Sequence, residues 1–251
     1  MKTAIVVFAY GEYLRGAKLL FHTLRRYGLP GHVKTILLTP EPMAISFAEN
    51  VAARDSGISV PSTVPEFSLC AKKLSVLSLD FDRIIGLDAD VFCSGDCSLL
   101  WSNSLNALPF YAARDYGAIE NYPIALKESG LNPDLIFNSG VYVYNRWIFP
   151  NLYDNLVYSI KSDVISSYDR ADQGWLNGYF QVNDYGVGFL PPEYNYCLAS
   201  TFPQLPEDKV RLAHFVGPRE KPWEFISPPN NLYHHWNARW RKEWSEYVAQ
   251  I

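Results

Sequence analysis

At 251 residues, 48% hydrophobic and 15% aromatic, the chain has enough apolar side chain for the core of an ordinary soluble α/β protein. A net charge of −4 argues against a surface that holds nucleic acid, while a local basic pocket for one diphosphate stays compatible with it. The four cysteines, Cys70, Cys93, Cys97 and Cys197, are too sparse for a disulfide scaffold, and Cys93 and Cys97 lack the second Cys or His pair of a zinc site, so reduced thiols are expected.

The apolar stretch 4–10 is broken by Gly11, Glu12 and Arg15, too soon for the core of a signal peptide. No run approaches the ~20 apolar residues of a spanning helix, and a cytoplasmic protein is expected. Residues 3–9 read as a buried strand, Gly11-Glu12-Tyr13 as a turn, and 13–27 as a helix with Leu14, Ala17, Leu20, Phe21 and Leu24 at helical spacing, closed by Gly28-Leu29-Pro30. Residues 33–38 form a second strand, Pro40-Glu41-Pro42 a break, 44–54 a helix, 58–60 a strand-like run, and 69–79 a helix leading into the strand 83–87. Strands alternating with helices imply a mostly parallel sheet with ligands at the carboxyl ends of its strands.

That last strand, Arg83-Ile84-Ile85-Gly86-Leu87, runs into Asp88-Ala89-Asp90. Ionised groups at the end of a strand buried on both faces are costly unless something positive neutralises them. Alternation puts Asp88 and Asp90 on one side with Ala89 facing away, so one hard cation can reach both; the plain alternative is a solvated acidic loop. Further on, 109–113 and 137–145 read as strands, 152–166 and 172–180 as helices, and 189–192 as an extended segment ending in prolines. No internal repeat or linker interrupts the chain, so a single domain over 1–251 is expected: a nucleotide-binding half 1–92, a sugar and acceptor half 93–225 and a helical tail 226–251.

Seven blocks in order carry a resemblance. They are the opening strand with Glu12-Tyr13-Leu14-Arg15-Gly16-Ala17, Lys72-Lys73-Leu74, Leu87-Asp88-Ala89-Asp90, Phe137-Asn138-Ser139-Gly140-Val141, Asp169-Arg170-Ala171-Asp172-Gln173-Gly174, Leu190-Pro191-Pro192-Glu193-Tyr194-Asn195, and His214-Phe215-Val216-Gly217 through Lys221-Pro222-Trp223. Together they resemble the glycogenin-like members of glycosyltransferase family 8. The resemblance implies a GT-A (Rossmann-like) fold and transfer of glucose or galactose from a UDP-sugar, with retention of configuration, to a glycan, polyol or protein acceptor.

It further implies a metal held by Asp88, Asp90 and His214, with Mn²⁺ favoured because an imidazole beside carboxylates suits it better than Mg²⁺, the second candidate. Outside its block, His214 would read as a core histidine. By the same resemblance Phe8, Ala9, Tyr10 and Tyr13 form the uridine side. Lys73, or adjacent Lys72, contacts the donor, as do Ala89, Asn138 and Ser139. Gly217 and Lys221 meet the phosphates; three residues lie between these two where the family usually has two, so Arg219 is a second candidate. Asp169, Asp172, Gln173 and Lys221 are the catalytic candidates. Asp172 and Gln173 act either as nucleophile in a double displacement or as groups that grip the sugar during same-face attack. Taken without the blocks, these residues have plainer readings as core tyrosine, solvated lysine, turn and acidic helix start.

Trp236, Trp240, Trp244 and Tyr247 recur at helical spacing, as an interfacial helix touching a membrane or as a stripe packed on the domain. A metal-dependent phosphotransferase built on Asp88-Ala89-Asp90 would need lysine and acidic blocks that do not follow. A non-catalytic UDP-sugar-binding module would not need Asp88, Asp90 and His214 together.

Overall fold

A computed structural model describes residues 1–58, 65–121, 123–165, 167, 171–198, 204–216, 221–224 and 231–250. In chain order the elements are β1 (Thr3–Phe8), α1 (Tyr13–Arg26), β2 (Lys34–Thr39), β3 (Glu49–Ala52), α2 (Pro65–Lys73), β4 (Arg83–Asp88), β5 (Val91–Cys93), β6 (Phe110–Arg114), α3 (Tyr116–Asn121), α4 (Pro123–Ser129), β7 (Phe137–Asn145), α5 (Leu152–Lys161), α6 (Asp172–Val182), β8 (Val187–Leu190), β9 (Tyr196–Cys197), β10 (Leu212–His214) and α7 (Asn231–Val248).

Seven strands form one sheet in the order β3-β2-β1-β4-β7-β6-β8. Only β7 runs against its neighbours, pairing antiparallel with β4 and β6, while the other pairings are parallel. Its reversal has a consequence for the site: the amino end of β7, with Asn138 and Ser139, lies at the same sheet edge as the carboxyl ends of β1, β4 and β6. The residues of β1, β4 and β7 are buried almost throughout, as continuous apolar strands covered on both faces should be. One face packs on Ala17, Leu20, Phe21 and Leu24 of α1. The other packs on Leu152 and Leu156 of α5 and Trp175, Leu176, Tyr179 and Phe180 of α6. At the opposite edge the fully buried Arg83 guanidinium donates to Asn145 Oδ1 (2.9 Å) and to the Ser102 carbonyl (2.7 Å), so the central strand begins on a satisfied cation and ends on carboxylates.

Two sequence expectations are corrected. Residues 44–54 are not a helix: Glu49–Ala52 is an edge strand paired parallel to β2. Asn50 decides this, because its amide donates to the Leu37 carbonyl (3.1 Å) and Thr39 Oγ1 (2.9 Å) while its Oδ1 accepts from Met43 N (2.7 Å), contacts that fix an extended chain against β2. The helix expected over 152–166 stops at Lys161, where Asp163 turns left-handed (φ 52°) and the Val164 amide bonds back to the Ser159 carbonyl. Ile58 of the strand-like run 58–60 is irregular, and residues 59 and 60 lie outside the described residues.

The C-terminal tryptophans point into the protein. Trp236 and Trp240 are 1% and 2% exposed and pack with Leu19, Phe92, Phe215 and Trp223, with Trp244 and Tyr247 at the margin. The aromatic stripe therefore closes the domain rather than presenting itself to a membrane. Among the described residues no helix is long and apolar enough to cross one.

Candidate active site

A second, three-stranded sheet, β5-β10-β9, builds the site. After Asp88 the chain turns through Ala89 and Asp90 and continues as β5, against which β10 runs antiparallel with His214 opposite Val91. The Asp90 carbonyl accepts from Phe215 N (3.0 Å), fixing the turn to the strand that carries His214. From α1, Gly16 touches the turn: a Cβ there would lie 2.1 Å from the Ala89 carbonyl oxygen, so only glycine lets the helix approach so closely.

The three expected metal-binding side chains converge. One ligand atom from each of Asp88, Asp90 and His214 lies within 4.8 Å of the others. His214 Nε2 faces both carboxylates, 3.3 Å from Asp90 Oδ1 and 3.8 Å from Asp88 Oδ2. Ligand bonds of ~2.1 Å put neighbouring donors about 3 Å apart, so small movements suffice to close this set on a divalent ion. Two carboxylates and one imidazole are a suitable donor set for Mn²⁺.

Two ammonium groups flank the carboxylates. Lys73, the last residue of α2, bridges Asp88 Oδ1 (2.6 Å) and Asp172 Oδ2 (2.8 Å). Burial opposes its charge, but Asp172 and Asp88 together hold the ammonium well above its ordinary range. Lys72 points elsewhere, to Glu41 at 3.3 Å. Lys221 donates to Asp90 Oδ2 and to the Phe215 carbonyl, both at 2.6 Å. The carboxylates consequently diverge: burial pushes Asp88 up despite Lys73, whereas at Asp90 the same burial is outweighed by Lys221 and His214, which hold it well below the usual carboxylate range.

Asp172 opens α6 and Ser139 sits on β7; the Ser139 hydroxyl donates to Asp172 Oδ2 (2.8 Å) and the Ser139 amide to Gln173 Oε1 (3.1 Å). On the other flank, Tyr10 and Tyr13 are neighbours (5.5 Å between centroids), Tyr13 meets the edge of Trp223 at 5.3 Å, and Lys221 Nζ lies 5.9 Å from the Tyr13 centroid. Phe8 ends β1, beside Tyr10 at 6.0 Å, and buried Ala9 bonds to the Leu38 carbonyl. Asp169, Gly217 and Arg219 lie outside the described residues.

Two functional-site residues escaped the sequence reading as individuals. Asp115, just past β6, accepts from Gln173 Nε2 (2.7 Å), Asn138 Nδ2 (3.2 Å) and the Ala118 amide (2.8 Å). Asn195 contacts His214 Nδ1 (2.9 Å) and donates to Asn138 Oδ1 (2.8 Å). The one available signal for Asp115 is its placement, an acid directly after a buried strand as Asp88 is; Asn195 offers none beyond its block.

Comparison with known proteins supplies the family. Residues 73–227 match the family model described as Glycosyl transferase family 8. The chain is 35% identical over 109 residues to galactinol synthase 2 of Arabidopsis thaliana, covering 41% of this chain and 30% of that protein. It is 30% identical over 187 residues to glycogenin-1 of Mus musculus, covering 70% of this chain and 49% of that one. The chain thus spans half or less of the length of these curated relatives. Among solved structures, the galactosyltransferase LgtC in complex with donor and acceptor sugar analogs superposes with a TM-score of 0.69 at 17% identity, over 97% of this chain and 96% of that one. The fold is the GT-A fold of that neighbour.

Proposed function

Because the chain belongs to glycosyl transferase family 8, we propose that it is a metal-dependent, retaining glycosyltransferase that moves glucose or galactose from a UDP-sugar to a glycan, polyol or protein acceptor. The observation that carries the reading is the joining of the Asp88, Asp90 and His214 cluster to Asp172 through the single ammonium of Lys73. A donor whose diphosphate lies over the first group has its hexose over the second. We read residues 1–251 as one catalytic domain, with 1–92 binding the nucleotide, 93–225 the sugar and acceptor, and 226–251 as tail, and we place it in the cytoplasm on its sparse, unpaired cysteines.

Asp88, Asp90 and His214 would hold Mn²⁺, which would supply Lewis-acid stabilisation of the charge left on the departing diphosphate. The chain's own groups do the rest. Tyr13, Tyr10, Phe8 and Ala9 hold the uridine; Gly217 and Lys221, the latter released from Asp90, meet the phosphates. Lys73, Ala89, Asn138 and Ser139 complete the contacts to the donor, and Asp169, Asp172 and Gln173 grip the sugar.

Retention requires either a covalent sugar on an enzyme nucleophile or attack from the face that UDP leaves. We favour same-face attack, a reading supported by Gln173 having both amide ends engaged and by Asp172 already accepting from Lys73 and Ser139. An Asp172 carboxylate fixed in that way stabilises an oxocarbenium-like centre, while the leaving phosphate takes the acceptor's proton. NMR of the product is expected to show the donor's α configuration, with Asp172→Asn slowing transfer and no hexose attached to the protein in a quenched reaction. An inverted product would overturn the proposed chemistry; a hexose on Asp172 would overturn the same-face step alone.

A further inference from the structure

His214 has two ring nitrogens, and only a lone pair on Nε2 can bind a cation between Asp88 and Asp90. A neutral ring then carries its proton on Nδ1.

A row of buried amides ends at that nitrogen. Asn138, Asn195 and His214 are 3%, 4% and 1% exposed, and Asp115 is 5% exposed. The direction of each hydrogen bond is dictated from fixed ends. Asp115 Oδ2 accepts, so Asn138 turns its Nδ2 towards it; the Gly140 backbone N–H, 2.9 Å from Asn138 Oδ1, imposes the same orientation independently. Asn138 Oδ1 therefore accepts Asn195 Nδ2, which leaves Asn195 Oδ1, approached also by the Cys197 thiol at 3.8 Å, facing His214 Nδ1 as an acceptor at the shorter distance of 2.9 Å. The ring also approaches Gly140 closely, where a Cβ would lie 2.1 Å from His214 Cε1. Side chains from separate parts of the chain thus form one directional chain that ends on a proton at Nδ1.

We propose that Asn195, oriented by Asn138 and Asp115, is a positioning residue that keeps the His214 proton on Nδ1 and the Nε2 lone pair directed at Asp88 and Asp90. This rests on the metal reading above. The test is ¹⁵N NMR of the neutral imidazole in the metal-free protein, together with Mn²⁺ titration by calorimetry. Wild type should show His214 protonated at Nδ1. Asn195→Leu, which removes the acceptor at similar volume, should move the proton to Nε2 and weaken Mn²⁺ binding by roughly 10–100-fold. Asn195→Asp, which keeps an acceptor at Nδ1, should retain the wild-type tautomer. A wild-type His214 protonated at Nε2 overturns the inference whether or not the leucine variant folds. So does a folded Asn195→Leu with unchanged tautomer and affinity. Failure of wild type to bind Mn²⁺ at all would instead overturn the metal reading, and the NMR result would still judge the tautomer.

Discussion

Lys73 joins the acidic end of β4 to the acidic start of α6, and its side chain is only 16% exposed. Lys73→Met leaves Asp88 and Asp172 facing one another without their shared cation, a loss expected to cost about 3 kcal/mol in chemical denaturation. The sign with pH follows from the raised ammonium: its contribution is fully present below the unfolded lysine value of ~10.4 and is lost only as pH rises through the higher folded value. Above the acid range in which carboxylates protonate, the difference between wild type and variant should hold through neutral pH and shrink again in strong alkali; a gap that closes near pH 7 would contradict the bridge. Three residues earlier on the same helix, the Cys70 thiol is pushed up to about 12 by burial and by Asp172. At pH 8 its thiolate population is then roughly a thousandfold below that of an ordinary cysteine, so iodoacetamide should modify it very slowly. Alkylation by mass spectrometry at the rate of a small-molecule thiol would contradict that environment. At this scale the acidic turn was legible, since an isoleucine run meeting two aspartates is local in sequence. The roles of Asp115 and Asn195 were not: they arise from hydrogen bonds to Asn138 that span 23 and 57 positions.

At the scale of elements, the position of the Asp88-Ala89-Asp90 turn depends on how α1 meets it. A Gly16→Ala side chain would meet a backbone oxygen, and behind it the Trp223 ring at 2.7 Å, neither the far end of a flexible chain. The variant is expected to lose about 1–3 kcal/mol of stability and to bind Mn²⁺ more weakly, as the turn is pushed towards β10. Calorimetry showing wild-type affinity and stability would mean that the close approach does not set the turn. Legibility at this scale follows burial. Strands β1, β4 and β7, covered on both faces, were readable as apolar runs. Edge strand β3, with two exposed and two half-buried residues, carries no such signal, and it is Asn50 that fastens it to β2. The tail helix α7 was found from its tryptophan spacing, but which way they face is a matter of what lies beneath, here Phe92 and Phe215.

Over the whole molecule, antiparallel β7 and the small β5-β10-β9 sheet bring residues from nearly the full length of the chain to one sheet edge. The family blocks made this assembly readable in outline because described residues in them, Tyr13, Lys73, Asp88, Asn138, Asp172 and His214, lie at or next to element ends. The acceptor follows no such pattern. Residues 197–209, which follow the Leu190-Pro191-Pro192-Glu193-Tyr194-Asn195 block, offer no tyrosine as an acceptor. Intact mass after incubation with a UDP-sugar should therefore stay unchanged, and a ladder of hexose additions would contradict this. The central claim is most directly tested by UDP release from UDP-glucose and UDP-galactose with Mn²⁺, comparing wild type with Asp88→Asn and Asp90→Asn. The account predicts release by wild type that EDTA abolishes and that each variant lowers by at least about a hundredfold; full release in EDTA, or wild-type rates in either variant, would contradict it.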